Sequence, residues 1–260
     1  MMKHYNEALR HHKEQITTDD GSLTLYSKEF GEAYHSPKDG ALHESLTKHV
    51  KPAFDLQQGK SSLKVLDICF GLGYNTFATI HYVKTRKLPT KVHIVSPEFD
   101  EALVRSLKDF TYPPEFEDLR FIIEAISKDF YYEDEQFKVE VLIGDARELL
   151  SQNTAHSFDI IYQDAFSPKV NPLLWTREWF ADVRAHCAED AVLTTYSIAA
   201  ATRMGLHENG FVLHYFDAPG IRRALIASPR RIESLEWIDM ALKIERNPSA
   251  RSLRDSELRQ

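Results

Sequence analysis

From residue 62 to residue 209 the chain alternates short apolar runs with amphipathic stretches, and no other property narrows its possible folds as much. Residues 65–68, 91–96, 138–143, 158–162 and 191–196 read as strands. Residues 75–87, 101–109, 115–130, 146–150, 176–187 and 199–209 read as helices, the last stopped by Gly210. Strands joined through helices run parallel and have both faces covered. Residues 211–216 and 223–227 follow with no helix between them and are expected to pair antiparallel across a turn at Pro219-Gly220. The expected fold is α/β: a doubly wound, mostly parallel, seven-stranded sheet with an antiparallel C-terminal strand. Ligands of such sheets bind at the carboxyl ends of the strands.

Residues 1–61 stand outside the alternation. Within them 23–26 reads as strand and 41–50 as helix, and the segment is expected to form a lid or side wall. Residues 62–235 are then the main domain and 236–260 a tail. The segment 115–130 is longer than a minimal α/β unit needs.

Composition excludes several classes. With 260 residues, 43% hydrophobic and 27% charged, the chain is an ordinary globule able to bury a full core. No apolar run approaches the roughly 20 residues of a membrane span. The start, Met1-Met2-Lys3-His4-Tyr5, lacks the apolar centre of a signal peptide. Cys69 and Cys187 fall in a predicted buried strand and a predicted helix and read as reduced core residues, which implies a cytoplasmic protein. No Cys/His pair has zinc-site spacing, and His11-His12 reads as a solvated helix face, so no metal is expected. The net charge of −7 argues mildly against nucleic acid, although local patches decide binding more than totals do. Arg222-Arg223 and Arg230-Arg231 are such patches, and Lys243, Arg246, Arg251 and Arg254 read as solvated surface.

Four features fall at the carboxyl ends of predicted strands. The first is the loop Phe70-Gly71-Leu72-Gly73-Tyr74-Asn75. A side chain at Gly71 or Gly73 would keep a bulky ligand off the backbone or forbid positive φ. The second is Glu98, where a carboxylate can accept both hydroxyl hydrogens of a ribose. The third is Gly144-Asp145-Ala146; Asp145 can cap the next helix and can also accept from the exocyclic amine of adenine. The fourth is Asp164. Any one of these occurs in α/β proteins without a ligand, but together they point to a nucleoside-bearing cofactor. A dinucleotide fingerprint needs a third glycine after two spacers, to seat a pyrophosphate on the helix N-terminus. Thr76 stands there instead. S-Adenosylmethionine has no phosphate and needs no such approach, so the residues favour this methyl donor. Asp164 then lies where a methyl acceptor would be placed, at the head of a loop whose path Pro168 and Pro172 define. Thr176 is a candidate cap for the helix that follows.

The run Asp164-Ala165-Phe166-Ser167-Pro168-Lys169-Val170-Asn171-Pro172-Leu173-Leu174-Trp175 resembles the Asp-Gly-Phe-Ala-Pro-x-x-Asn-Pro-x-x-Trp segment of the MnmC methyltransferase family. That family completes 5-methylaminomethyl-2-thiouridine at the tRNA wobble position. Residues 26–44 resemble its N-terminal segment, and residues 70–75 its Phe-Gly-x-Gly-x-Asn loop. Glu98, Gly144-Asp145 and the strand at Arg222-Arg223 also fit. Ala165 replaces the usual glycine, Ser96-Pro97 replaces Ser-Phe, and Gly220 stands alone before the final strand. These departures bear on substrate geometry more than on fold.

The resemblance implies a class I S-adenosylmethionine-dependent fold in the stand-alone form, without the flavin oxidase domain of some members. It implies that Gly71, Leu72, Gly73, Asn75, Glu98, Asp145, Ala146 and Asp164 meet the cofactor. Asp164 would hold the acceptor amine, and Lys169, Arg222 and Arg223 would meet phosphates of the tRNA anticodon region. Two rivals remain at this level: a small-molecule or polyamine-type transferase on the same scaffold, whose cationic substrate would suit an acidic protein, and a non-catalytic binding protein.

Overall fold

The computed structural model of the protein describes residues 12–152 and 157–258. His11 lies outside them, and His12 is exposed in a turn rather than on a helix. The described chain opens with a three-stranded antiparallel meander, β1 (Lys13–Thr17), β2 (Leu23–Ser27) and β3 (Glu32–Ala33). A continuous helical run follows: α1 (Ala41–Glu44), a π-helical turn (Ser45–Val50) and α2 (Lys51–Leu56). The helix expected at 41–50 therefore runs further, to Leu56, with Pro52 in the first turn of α2 after the π-helical turn.

The body then alternates as its periodicity predicts. β4 (Ser62–Ile68), α3 (Tyr74–Thr85), β5 (Lys91–Glu98) and α4 (Glu101–Ser106) lead into α5 (Arg120–Asp129). Next come β6 (Tyr131–Glu133), β7 (Phe137–Ile143), α6 (Ala146–Gln152) and β8 (Phe158–Gln163). α7 (Arg177–Ala185), β9 (Cys187–Thr195), α8 (Ala200–Glu208), β10 (Val212–Phe216) and β11 (Ala224–Ser228) complete the core. β12 (Glu236–Trp237), α9 (Met240–Arg246) and α10 (Asp255–Leu258) follow.

The sheet has nine strands in the order β12-β10-β11-β9-β8-β4-β5-β7-β6. The five from β7 to β9 are parallel, and β11 and β10 join antiparallel, giving the seven expected. The extra two, β6 and β12, pair antiparallel with β7 and β10 at the edges. At three and two residues they are too short for a period of two to register in the sequence. Successive connections diverge from β4, towards β5 on one side and β8 on the other. The crevice outside the carboxyl ends of β4 and β8 is thus the topological switch point where such sheets bind ligands.

β4 is buried on both faces, and alternation splits its side chains between two cores. Val65 packs with Phe77, Ile80, Leu103 and Ile122 on one side of the sheet. Leu66 and Ile68 pack with Ile161, Trp175, Trp179 and Phe180 on the other. The Thr176 hydroxyl accepts from the Trp179 amide and caps α7, as the sequence suggests. The helix expected over 115–130 divides into a 3-10 segment (Pro114–Leu119) and α5, which Phe130 ends at φ 58°. The proline at the head of the segment accounts for its irregular start. Cys187 opens β9 instead of ending α7, and Cys69 lies in the bend after β4; both are free.

The C-terminal residues pack back on the body. Arg147 Nη1 donates to Asp255 at 2.8 Å, Arg254 pairs with Glu178 at 2.7 Å, and Leu253 bridges to Thr176. Among the described residues no helix is long and apolar enough to cross a membrane, and no group of three or more His, Cys, Asp or Glu side chains is arranged to hold a metal ion.

Candidate active site

Beyond Ile68 the chain leaves β4 through a tight loop whose backbone is left-handed at Cys69 (φ 68°), Gly71 (φ 55°) and Gly73 (φ 71°). The Gly73 amide closes the loop on the Phe70 carbonyl at 2.7 Å, and α3 begins at the next residue. The two glycines serve different neighbours. Gly71 lines a cavity of about 940 Å³, and a Cβ there would stand 3.1 Å from the Tyr34 ring across it. Gly73 faces the core: a Cβ would lie 2.5 Å from Phe77 and 2.8 Å from Phe70. Of the two reasons expected for glycine here, positive φ applies to both residues, while Gly71 lines the cavity and Gly73 does not.

The cavity collects Gly71, Leu72, Asn75, Glu98, Asp145, Ala146 and Asp164 at one rim of the sheet. Glu98, the last residue of β5, accepts the Gly71 amide at 2.7 Å and the Asp100 amide at 2.8 Å. Burial pushes its carboxyl up, and these amides recover only part of the shift. Asp145 caps α6 by accepting the Arg147 amide at 2.8 Å and still lines the cavity, so its two sequence readings are compatible in space. Thr76, which argued against a pyrophosphate site, donates to the buried Asp67 carboxylate at 2.7 Å. Burial, with little relief from hydrogen bonds, pushes the Asp67 carboxyl up to about 7.

Asp164 follows β8 directly. Its Oδ2 accepts from Asn75 Nδ2 at 2.9 Å, and its Oδ1 stands 3.4 Å from His49 Nε2. Burial alone would raise this carboxyl, but His49, His35 and Asn75 outweigh it and hold Asp164 below the usual carboxylate range. The irregular loop after Asp164 is tied down by Glu32, which accepts from the Ser167 amide at 3.0 Å and from its hydroxyl. Phe166 stacks on Phe30 at 4.7 Å and meets Tyr34 edge-on at 4.9 Å.

The wall contributed by the N-terminal segment is where single-sequence reasoning saw least. His35, Glu44, Lys48, Tyr34 and Phe30 all line the cavity. Lys48, only 2% exposed, pairs with Glu44 at 2.6 Å and Asp39 at 2.8 Å. Burial opposes its charge, but the two carboxylates outweigh it and raise its proton affinity. Arg222 lines the cavity, exposed and 3.7 Å from Asp39; Arg223 lines it too and pairs with Asp217 at 2.7 Å. Lys169 is exposed and is not among the lining residues.

The donor set fits S-adenosylmethionine better than a nucleotide. The loop 70–75 carries no cationic side chain, so a pyrophosphate would find none there. Glu98, Asp145 and Asp164 instead present negative potential to a ligand bearing a sulfonium and an ammonium group. Lys13 and Lys48, the lysines of the lining, are already paired with Asp100 and with Asp39 and Glu44.

Comparison with known proteins bears on the same point. The family described as S-adenosyl-L-methionine-dependent methyltransferase matches residues 118–230. The uncharacterized protein MJ0670 of Methanocaldococcus jannaschii is 27% identical over 88% of this chain and 65% of its own length. The tRNA 5-methylaminomethyl-2-thiouridine biosynthesis bifunctional protein MnmC of an Azoarcus species is 31% identical over 78% of this chain and 33% of its own. The chain therefore spans less than two thirds of either relative. The crystal structure of MnmC2 from Aquifex aeolicus superposes with a TM-score of 0.80 at 29% identity, covering 95% of this chain and 80% of that one. Fold and sequence point the same way: over most of its length the chain is similar to S-adenosyl-L-methionine-dependent methyltransferases of the MnmC type.

Proposed function

We propose that the protein methylates the primary amine of 5-aminomethyl-(2-thio)uridine at the wobble position of tRNA, giving the 5-methylaminomethyl derivative. The observation that carries this reading is the placement of Asp164. A carboxylate hydrogen-bonded by Asn75 and 3.4 Å from His49 lines the cavity shared with Gly71 and Glu98, in a chain resembling MnmC proteins.

In this reading Gly71, Leu72 and Asn75 receive the methionine part of the cofactor, with Gly73 shaping the loop beneath it. Glu98 binds the ribose, and Asp145 and Ala146 frame the adenine. When bound, S-adenosylmethionine supplies a methyl group on sulfonium, already electrophilic, so the protein's task is alignment more than activation. Positioning can contribute about 7–11 kcal/mol in favourable cases. The amine must be neutral to attack, yet an adjacent carboxylate favours the ammonium form. Asp164 is therefore assigned first to orient the lone pair by accepting an N–H, and second to accept the proton released. Arg222 and Arg223 at the mouth, with Lys169 on the surface beyond, meet anticodon phosphates. In a chain of net charge −7 such binding is weak and steeply salt-dependent. Residues 12–61 act as side wall and lid. The two free cysteines suit a reducing compartment, and the reading places the protein in the cytoplasm.

The test is methyl transfer from labelled S-adenosylmethionine to tRNA lacking the modification, followed by nucleoside analysis, with small amines and polyamines as rival acceptors. Asp164→Asn should lower kcat by about 100-fold or more, the scale of a lost acid–base group, while cofactor affinity stays within a few-fold. Methylation of small amines with tRNA untouched would assign the site to another acceptor. Failure to bind the cofactor would leave only a non-catalytic role.

A further inference from the structure

His49 is completely buried, has no place in the mechanism above, and touches the residue on which that mechanism turns. It lies on the π-helical turn Ser45–Val50, a feature that recurs at functional sites because the wider turn re-aims side chains. Its Nδ1 is 2.8 Å from Thr194 Oγ1 on β9, and its Nε2 is 3.4 Å from Asp164 Oδ1. Among the described residues Nε2 makes no hydrogen bond, and the Asp164 carboxylate is the acidic group it approaches. An ionised carboxylate offers only lone pairs, so the ring atom facing it carries the proton. Nδ1 then accepts the Thr194 hydroxyl, which fixes the tautomer from behind.

On the opposite side Asn75 Nδ2 donates to Asp164 Oδ2 at 2.9 Å and reaches Asp67 at 3.5 Å. A chain of contacts thus runs from Thr194 through His49, Asp164 and Asn75 to Asp67, with a hydrogen bond at one oxygen of Asp164 and the imidazole nitrogen 3.4 Å from the other. Free rotation of the carboxylate would break both contacts. The other groups facing His49 are Asp67 at the end of β4, His35 from the segment after β3, and Tyr162 of β8, edge-on at 5.7 Å. Lys48 and Glu44, on its own helical run, are paired with each other.

We propose that His49, backed by Thr194, is the positioning residue that orients the Asp164 carboxylate towards the acceptor amine. The proposal rests on the assignment of Asp164 as the group that meets the amine. The same contact helps to keep Asp164 ionised at neutral pH, as an acceptor of the amine N–H must be.

The experiment follows the Asp164 carboxyl directly, by carbon-13 NMR titration of protein labelled at its aspartates, with Asp164→Asn identifying the signal. His49→Leu should raise the Asp164 midpoint by about one unit or more. His49→Gln, whose amide can reach the position of Nε2, should stay near the wild type, and Thr194→Val should shift it less but in the same direction. In methyl transfer to tRNA, His49→Leu should lower kcat by about tenfold or more, as loss of an orienting partner does. Its KM for S-adenosylmethionine should change little, and His49→Gln should restore most of kcat. An Asp164 midpoint that does not move in His49→Leu overturns the proposal, as do equal kcat values for the Leu and Gln variants. If wild type fails to methylate tRNA but the midpoint moves as stated, the tRNA reading falls while the coupling of His49 to Asp164 is supported.

Discussion

Replacing Gly73 with alanine separates the two demands the loop places on a glycine. The first is conformational. At φ 71° an alanine occupies the left-handed region, at about 1–2 kcal/mol. The second is steric. The new Cβ would stand 2.5 Å from Phe77 and 2.8 Å from Phe70, two rings at most 3% exposed and packed edge-to-face at 5.8 Å. Such overpacking destabilises by about 1–3 kcal/mol, because neither ring can retreat without disturbing close-packed neighbours. The total, about 2–5 kcal/mol, is a large part of the roughly 5–15 kcal/mol that holds a domain folded. Gly59 supplies the control: its φ is +86°, and a Cβ added there would meet no atom within 4 Å, so Gly59→Ala incurs the conformational part alone. Urea unfolding of both variants at a common slope gives the difference, expected near 1–3 kcal/mol. In a thermal scan this is about 2–4 °C per kcal/mol for a chain of this size. If Gly73→Ala is no worse than Gly59→Ala within about 0.5 kcal/mol, the ring contacts are not what requires glycine there, and the assignment of Gly73 to the core is wrong.

Three further outcomes follow from buried charge and the cavity mouth. Asp67, raised to about 7 in the fold from its ordinary value near 3.8, binds a proton more tightly folded than unfolded. Its contribution is therefore intact below about pH 4 and lost as pH rises through 7. Asp67→Asn should match wild type at pH 4 and exceed it at pH 8 by up to about 4 kcal/mol, read by urea unfolding across that range. Lys48→Met leaves Asp39 and Glu44 without their shared cation and should destabilise by about 3–5 kcal/mol near neutral pH. The loss should shrink as acid protonates Asp39, whose carboxyl Lys48 helps to hold below its ordinary value, measured by thermal unfolding at several pH values. Arg222→Glu with Arg223→Glu should weaken tRNA binding and flatten its salt dependence by about one to two contacts, with cofactor affinity unchanged in calorimetry.

The order of strands and helices in the body was legible because each element carries its own period. Two flanking strands are enough to define a helix crossover, and the strands from β4 to β11 other than β6 pair as the alternation implies. The edge strands did not, since three residues at Tyr131–Glu133 and two at Glu236–Trp237 are recruited by the neighbours they pair with. Gly71, Glu98, Asp145 and Asp164 were legible for a related reason: a parallel sheet sends every strand end to one rim, so position in the alternation already implies convergence.

Sequence alone thus determined the layered α/β scaffold, the rim at which the cavity opens and the carboxylates that line it, because these follow from local periodicity and strand direction. Only the tertiary structure decided which glycine serves the cavity and which the core, since that depends on the Phe70 and Phe77 rings. It also decided that His49 and the Lys48 pair reach the site. They lie more than a hundred residues from Asp164 in the chain, in a segment with no part in the β-α alternation, and only packing of that segment over the switch point brings them to it.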